Sequence, residues 1–167
     1  MSKLKNLISE LERNVTNVSE GLPDEIFYFV SRLTPFVNVD LLIDIPKKGI
    51  LLTWRDDEYT GAGWHIPGGI IRLKENAKKR VDFVAKNELG IKIDSAKGPV
   101  GFNEVIANQK DRSHFISLLY SCSIDEENLD IINKKIVQYP KQINFFKKKP
   151  KKLIPWHDIY ADFFSDK

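Results

Sequence analysis

Apolar positions open the chain at helical spacing. Leu4, Leu7, Ile8, Leu11, Val15 and Val18 predict an N-terminal helix, closed by Gly21-Leu22-Pro23. A second helix is predicted over 23–33, with Ile26, Phe27, Phe29 and Val30 as its apolar positions. The period then changes. Residues 36–45 and 49–54 read as strands, and Pro46-Lys47-Lys48-Gly49 between them reads as a turn, so the two predict a strand pair. Short extended pieces flank Pro67 and cover 68–73. From 76 to 89 there is no Pro or Gly, and Ala77, Val81, Val84, Ala85 and Leu89 return at helical spacing, with Asn76 as N-cap and Gly90 just past the end. Strands over 99–106 and 114–123, joined by the polar connector 107–112, then a helix over 125–133, a short strand over 152–156 and a closing helix over 157–164 complete an α/β order. No repeat interrupts it. The expected organisation is an N-terminal helical extension over 1–20 and one domain over 21–167.

Composition narrows the class. With 167 residues, 42% of them hydrophobic and 29% charged, the chain can bury one substantial core. A net charge of +3 does not by itself imply nucleic acid, and none is expected as partner. The lone Cys122 excludes a disulfide framework and a cysteine-rich zinc site, which makes the cytoplasm the natural compartment. The first residues lead into a charged amphipathic segment, so no signal peptide is expected. No apolar run approaches the ~20 residues of a membrane span, and no membrane partner is expected.

The stretch richest in chemistry is Trp64-His65-Ile66-Pro67-Gly68-Gly69, followed by Glu75 and by Glu88 near the end of the predicted helix. It reads as a loop–helix site for a metal and a diphosphate. Glycines without a Cβ let backbone approach a ligand closely. A glutamate in the last helical turn opposes the helix dipole at a cost of about 0.3–1 kcal/mol, which a bound cation would offset. Arg55 ends a predicted strand near the glycines. Its planar fork suits a phosphate, although a surface ion pair with Asp56, Asp57 or Glu58 is the competing reading. Asp40 stands among Val37, Val39, Leu41, Leu42 and Ile43, where an unpaired carboxylate would be costly, so it is expected to face a polar pocket. Of the histidines, His65 adjoins the glycine loop, His114 opens a strand and His157 follows Trp156; a lone histidine is more often structural than catalytic. The run from Lys147 to Lys152, broken by Pro150, is either a solvated loop or a basic rim that attracts a diphosphate.

At these residues the chain resembles a Nudix hydrolase. That family's box is a glycine, five residues, a glutamate, seven residues, then Arg-Glu-aliphatic-any-Glu-Glu-any-Gly-aliphatic. Gly69, Glu75, Glu88, Gly90 and Ile91 sit at box positions, and Trp64 to Gly68 matches the usual lead-in. Phe83 stands in place of the arginine, Val84 in place of the next glutamate, and Asn87 in place of the first paired glutamate. A box that keeps only the last helix glutamate is similar to the GDP-mannose mannosyl hydrolase branch. The flanks agree from about Leu22 to Phe164, including Thr34-Pro35, Asp40, Arg55 and His114. The branch's Gln-His pair, a metal ligand and the general base, falls on Pro150 and Lys151 when counted back from Trp156, and its arginine after the Gly-Gly pair falls on Ile70.

The resemblance implies a Nudix-type α/β/α sandwich with a mixed sheet. It implies Mg²⁺ or Mn²⁺ held by Glu88 and the Gly69 carbonyl. It also implies a nucleoside diphosphate sugar as substrate, bound by Asp40, Arg55, His114, Gly68 and Gly69. Catalysis would involve Glu88 and Arg55, with Lys151 at the base position. Glu75, which pairs with the box arginine in the family, is expected to serve here as a charge at the helix start, since Phe83 cannot pair with it. A homodimer joined through the N-terminal helix is expected. The alternative is a Nudix-fold module that has lost catalysis and binds a nucleotide sugar or a protein.

Overall fold

The computed structural model describes residues 2–58 and 61–164, so Met1 of the expected extension and the last three residues of the expected domain lie outside the described residues. Four helices form: α1 (Lys3–Arg13), α2 (Asp24–Ser31), α3 (Ala77–Val84) and α4 (Glu126–Gln138). The strands are β1 (Phe36–Leu42), β2 (Asp44–Ile45), β3 (Gly49–Asp57), β4 (Gly61–His65), β5 (Gly68–Ile70), β6 (Ser95–Ile106), β7 (His114–Ser123) and β8 (Ile143–Phe146). A π-helical turn, Ala85–Leu89, extends α3, and a 3₁₀ run, Pro155–Phe164, closes the described chain.

One sheet has the order β5-β1-β7-β6, with β1 and β7 parallel and the other pairs antiparallel. The second has β3 at its centre, paired with β2, β4 and β8. The predicted strand 36–45 therefore divides: β1 belongs to the first sheet, whereas β2 pairs with β3 in the second. Ile43, 0% exposed, carries the chain from one sheet to the other, its carbonyl still accepting from Leu51 N–H at 2.9 Å.

Alternation on β1 divides the interior. Val39 and Leu41 face α3 and α4 and form one core with Val81, Val84, Leu89 and Ile132. Asn38 and Asp40 project to the other face. There a second core of Leu42, Ile50, Leu52, Ile66 and Leu119 is closed by Tyr160 and Phe164 of the 3₁₀ run. Helical layers thus lie on both sides of a mixed sheet.

Local chemistry explains the boundaries. Asn76 caps α3 by accepting from Lys79 N–H at 2.8 Å, and Gly90 ends the π turn with φ +69°, a conformation that favours glycine. Lys135 donates to the Leu89 carbonyl at 2.6 Å, placing a cation at the negative end of that helix. The N-terminal helix stops at Arg13, short of Val15 and Val18. Asn14 donates back to the Glu10 carbonyl at 2.8 Å, and the Asn17 side chain accepts from Ser19 N–H at 3.1 Å; such bonds compete with helix continuation. The expected strand over 152–156 is a single parallel bridge between Leu153 and Trp64, while β8, which the pattern did not reveal, pairs along β3.

Val84 is 3% exposed and faces Gly69, where its Cγ2 would lie 2.8 Å from a Cβ added to that glycine. Restoring the box glutamate there would bury an unpaired carboxylate. Val84→Glu is expected to lower stability by about 3–5 kcal/mol, measured by urea denaturation. An unshifted midpoint would show that the side chain escapes the core.

Candidate functional site

The second face of β1, together with β3 to β5, the start of β7 and the 3₁₀ run, encloses a cleft of about 420 Å³. Asp40, Arg55, Gly68 and Gly69 line it, as the sequence led us to expect. Asn38, Arg72, Arg112, Trp156 and His157 also line it, although none was assigned a role from sequence.

Asp40 is 3% exposed and well provided with donors. Ser117 Oγ donates to its Oδ2, Tyr160 donates to the same oxygen at 2.5 Å, and Asn38 Nδ2 donates to Oδ1 at 3.0 Å. The hydroxyl oxygens are served in turn. Asn38 Nδ2 lies 3.2 Å from Ser117 Oγ, and Asn103 Nδ2 lies 3.4 Å from the Tyr160 oxygen. Neutral donors thus hold the carboxylate with no cation bonded to it. Burial first, then the Asp40 charge, pushes the Tyr160 phenol up from its ordinary value.

Gly68 lies between two carboxylates. A Cβ on it would stand 2.3 Å from Asp40 Oδ1, and its backbone N–H favours the charged form of Glu88. Leu41 N–H bonds the Pro67 carbonyl and Ile71 N–H bonds the Val37 carbonyl, so antiparallel alternation makes Val39 and Gly69 a hydrogen-bonded pair. The Gly69 carbonyl therefore turns into the β1–β5 ladder, and the Gly68 carbonyl faces the open edge. The backbone oxygen on the Glu88 side belongs to Gly68. Part of the Glu88 side chain is exposed, yet withdrawal of its carboxyl from water pushes it up to about 7; Asp40 adds to the shift, while Arg55 and the Gly68 N–H oppose it.

Glu75 is not a free charge at the helix start. It accepts from Arg80 Nε at 2.7 Å and from Arg72 N–H at 2.9 Å, and Arg80 Nη2 forms an ion pair with the same oxygen at 2.7 Å. Arg80 precedes Phe83 by three residues, about one helical turn, and so projects from the same side of α3. Its guanidinium, 4% exposed with the rest of the residue, lies 4.4 Å from the centre of the Phe83 ring. The aromatic at the arginine position thus covers the guanidinium that replaces it.

Three sequence-assigned residues fall elsewhere or serve two contacts. Lys151 is exposed and lies outside the cleft lining. His114 pairs with Glu104 at 3.1 Å, also outside the lining. Arg55 combines both of its readings, lining the cleft while lying 3.6 Å from Asp57. Asn38 was detectable, because two residues along a strand return to the face of Asp40. Arg72 likewise returns to the side of Ile70. His157 gave no such signal, since its partner, Ile66 N–H, is remote in sequence and donates to Nδ1 at 2.9 Å. Burial lowers the His157 pKa, with Arg55 adding and Asp40 opposing; burial, then Arg55 and His157, hold His65 well below its ordinary value.

No family model matches the chain. Its sequence is 25% identical over 146 residues to the low-salt glycan biosynthesis protein Agl8 of Haloferax volcanii, covering 84% of this chain and 89% of that protein. Among solved structures, the MutT Nudix hydrolase of Burkholderia pseudomallei superposes with TM-score 0.60 at 18% identity, covering 77% of this chain and 97% of that one. The MutT protein of Methanosarcina mazei Go1 gives TM-score 0.53 at 18% identity, over 78% and 91% of the two chains.

The raised Glu88 value has a stability signature. Between the ordinary value of 4.5 and about 7 the folded chain holds a proton that the unfolded chain releases, so this residue's contribution falls as pH rises through that window. In chelator-containing buffer, Glu88→Gln is expected to gain stability relative to wild type from pH 4.5 to 7 and to hold a constant advantage above. Thermal melts across that range check this; a pH-independent difference would contradict it. Taken together, the mixed sheet between helical layers, the Gly68-Gly69 edge strand with Glu88 beside it and the superpositions establish that this chain has the α/β fold of the Nudix hydrolases.

Proposed function

We propose that the protein is a Nudix-type hydrolase of a nucleoside diphosphate sugar, dependent on a divalent cation and with weakened catalysis. The observation that carries this reading is the placement of Arg55, Arg72 and Arg112 in one cleft with Asp40, beside the Glu88 carboxyl. Guanidinium forks suit a diphosphate. The Agl8 name, from glycan biosynthesis, agrees with a sugar nucleotide.

The donor set fits a hard cation. Glu88 and the Gly68 carbonyl offer oxygens only, and burial pushes the Glu88 carboxyl up to about 7, a cost that a bound cation would offset. Among the described residues no group of three histidine, cysteine or acidic side chains converges, so nucleotide phosphates would complete such a site. When bound, the cation would neutralise charge on the departing diphosphate. Arg55 and Arg72 orient that diphosphate, and Ser117, Tyr160 and Asn38 hold Asp40 in place by hydrogen bonds. Water oxygen bonds to the anomeric carbon and releases a proton to solvent, the bond from that carbon to the phosphate oxygen breaks, and its electron pair leaves with the nucleoside diphosphate. Lys151 does not line the cleft, and neutral His157 has its Nδ1 lone pair engaged by Ile66. Without a positioned base the rate is lower by roughly 10²–10⁴-fold.

Incubation with Mg²⁺ and GDP-mannose, followed by chromatography of the nucleotide, is expected to yield GDP slowly. GMP would indicate attack at phosphorus and remove the branch assignment. Glu88→Gln is expected to abolish turnover, and Lys151→Ala to leave it within twofold. The competing reading, a binding module without turnover, is favoured by the position of Lys151 and would be supported by no product from any of a panel of nucleotide sugars.

The reading includes a homodimer. None of the α1 residues is buried, and Leu4, Leu7, Ile8 and Leu11 remain 42–66% exposed, an apolar stripe that gains from cover at about 25 cal/mol per Å². Removal of residues 1–20 is expected to convert a dimer to a monomer in light scattering. An unchanged dimer would move the interface elsewhere, with the exposed Phe102 and Ile106 of β6 the first place to examine.

A further inference from the structure

We propose that Asn38, Trp156 and His157 form a subsite that reads the hydroxyl groups of the sugar, an inference that rests on the nucleotide-sugar reading above. Hydrogen-bonding atoms of three residues that line the cleft are left without partners. A buried polar atom is normally satisfied, and orphans that cluster in one cavity point to groups that a ligand brings.

Asn38 has a determined orientation. An ionised carboxylate only accepts, so the amide nitrogen must be the atom facing Asp40 Oδ1 at 3.0 Å and Ser117 Oγ at 3.2 Å. The amide oxygen is left buried without a partner. Trp156 Nε1, which can only donate, is likewise buried without a partner. His157 accepts from Ile66 N–H at Nδ1, so its neutral ring carries the proton on Nε2. Protonating Nδ1 would sacrifice that bond. Nothing among the described residues is hydrogen-bonded to Nε2, and the ring lines the cleft. Asn38 and His157 are linked through Asp40 and Tyr160: Asn38 donates to Asp40, Tyr160 donates to it, and the Tyr160 ring meets His157 edge-on at 5.4 Å.

This wall therefore presents one acceptor and two donors. A phosphate cannot serve Asn38 Oδ1 because it has no proton to give at neutral pH in its diester-like positions. An ammonium cannot serve Trp156 or His157, because it has no lone pair. Hydroxyls both donate and accept, so a polyhydroxylated ring supplies both kinds of partner. The lining Ile66, Ile154 and Ile159 supply apolar surface for the C–H face of such a ring.

Titration calorimetry of the full chain at low temperature, with Mg²⁺ and either GDP or GDP-mannose, isolates the sugar's contribution as the ratio of the two Kd values. Trp156→Phe and His157→Leu are each expected to weaken GDP-mannose about tenfold, the scale of one buried polar group left unpaired, while GDP stays within twofold. His157→Gln, which keeps an N–H donor, is expected to recover part of the loss. In ¹⁵N NMR of wild type, His157 is expected to show a protonated Nε2 and an unprotonated Nδ1, a readout independent of how any variant folds. Equal weakening of GDP and GDP-mannose, no change in either, or a protonated Nδ1 would overturn the subsite while leaving the nucleotide-sugar reading intact. Failure of wild type to bind either nucleotide would overturn both.

Discussion

The site depends on two adjacent glycines at the edge of a sheet. Gly68 and Gly69 of β5 lie in a gap closed on one side by Asp40 and on the other by Val84, where added Cβ atoms would stand 2.3 and 2.8 Å from Asp40 Oδ1 and Val84 Cγ2. No other residue type fits both positions without moving a neighbour. Because β5 is this thin, α3 packs close against the sheet edge, and the π turn that follows carries Glu88 to the Gly68 N–H. Asp40 and Glu88, far apart in sequence and on different elements, thereby come to act on the same point of the backbone.

A second constraint holds the far end of that loop. Glu75 accepts hydrogen bonds from Arg80 Nε and the Arg72 backbone, with Arg80 Nη2 completing an ion pair, joining α3 to the segment that precedes it. A buried charged pair adds little stability by itself, because desolvation offsets the attraction. Its effect is geometric: the loop between the glycines and the helix has one arrangement in which both charges are satisfied. Phe83, stacked on the guanidinium, shields that pair from water.

The two carboxylates differ in their surroundings. Asp40, buried, accepts hydrogen bonds from Ser117, Tyr160 and Asn38. Glu88 lies outside the cleft lining, and withdrawal of its carboxyl from water, with Asp40 adding and Arg55 and the Gly68 backbone opposing, pushes it up to about 7.

Much of the architecture was legible in the sequence. The 3.6-residue period of 76–89 and its Asn76 cap produced α3, and the apolar run of 114–123 produced β7, because both depend on patterns local to the chain. The glycines, Asp40, Arg55 and Glu88 were marked by residue type and spacing for the same reason. Tertiary structure alone decided the rest. The split of the 36–45 strand between two sheets, the pairing of β8 and the relocation of the arginine function to Arg80 depend on which surfaces meet. Lys151 was assigned by counting along the chain, a measure that fails where the backbone bends, whereas His157 enters the cleft through a bond to Ile66 across ninety-one positions. Sequence patterns report how each segment can bury its own apolar face; they do not report which remote donor or acceptor will satisfy its polar atoms, and in this protein those remote partners define the site.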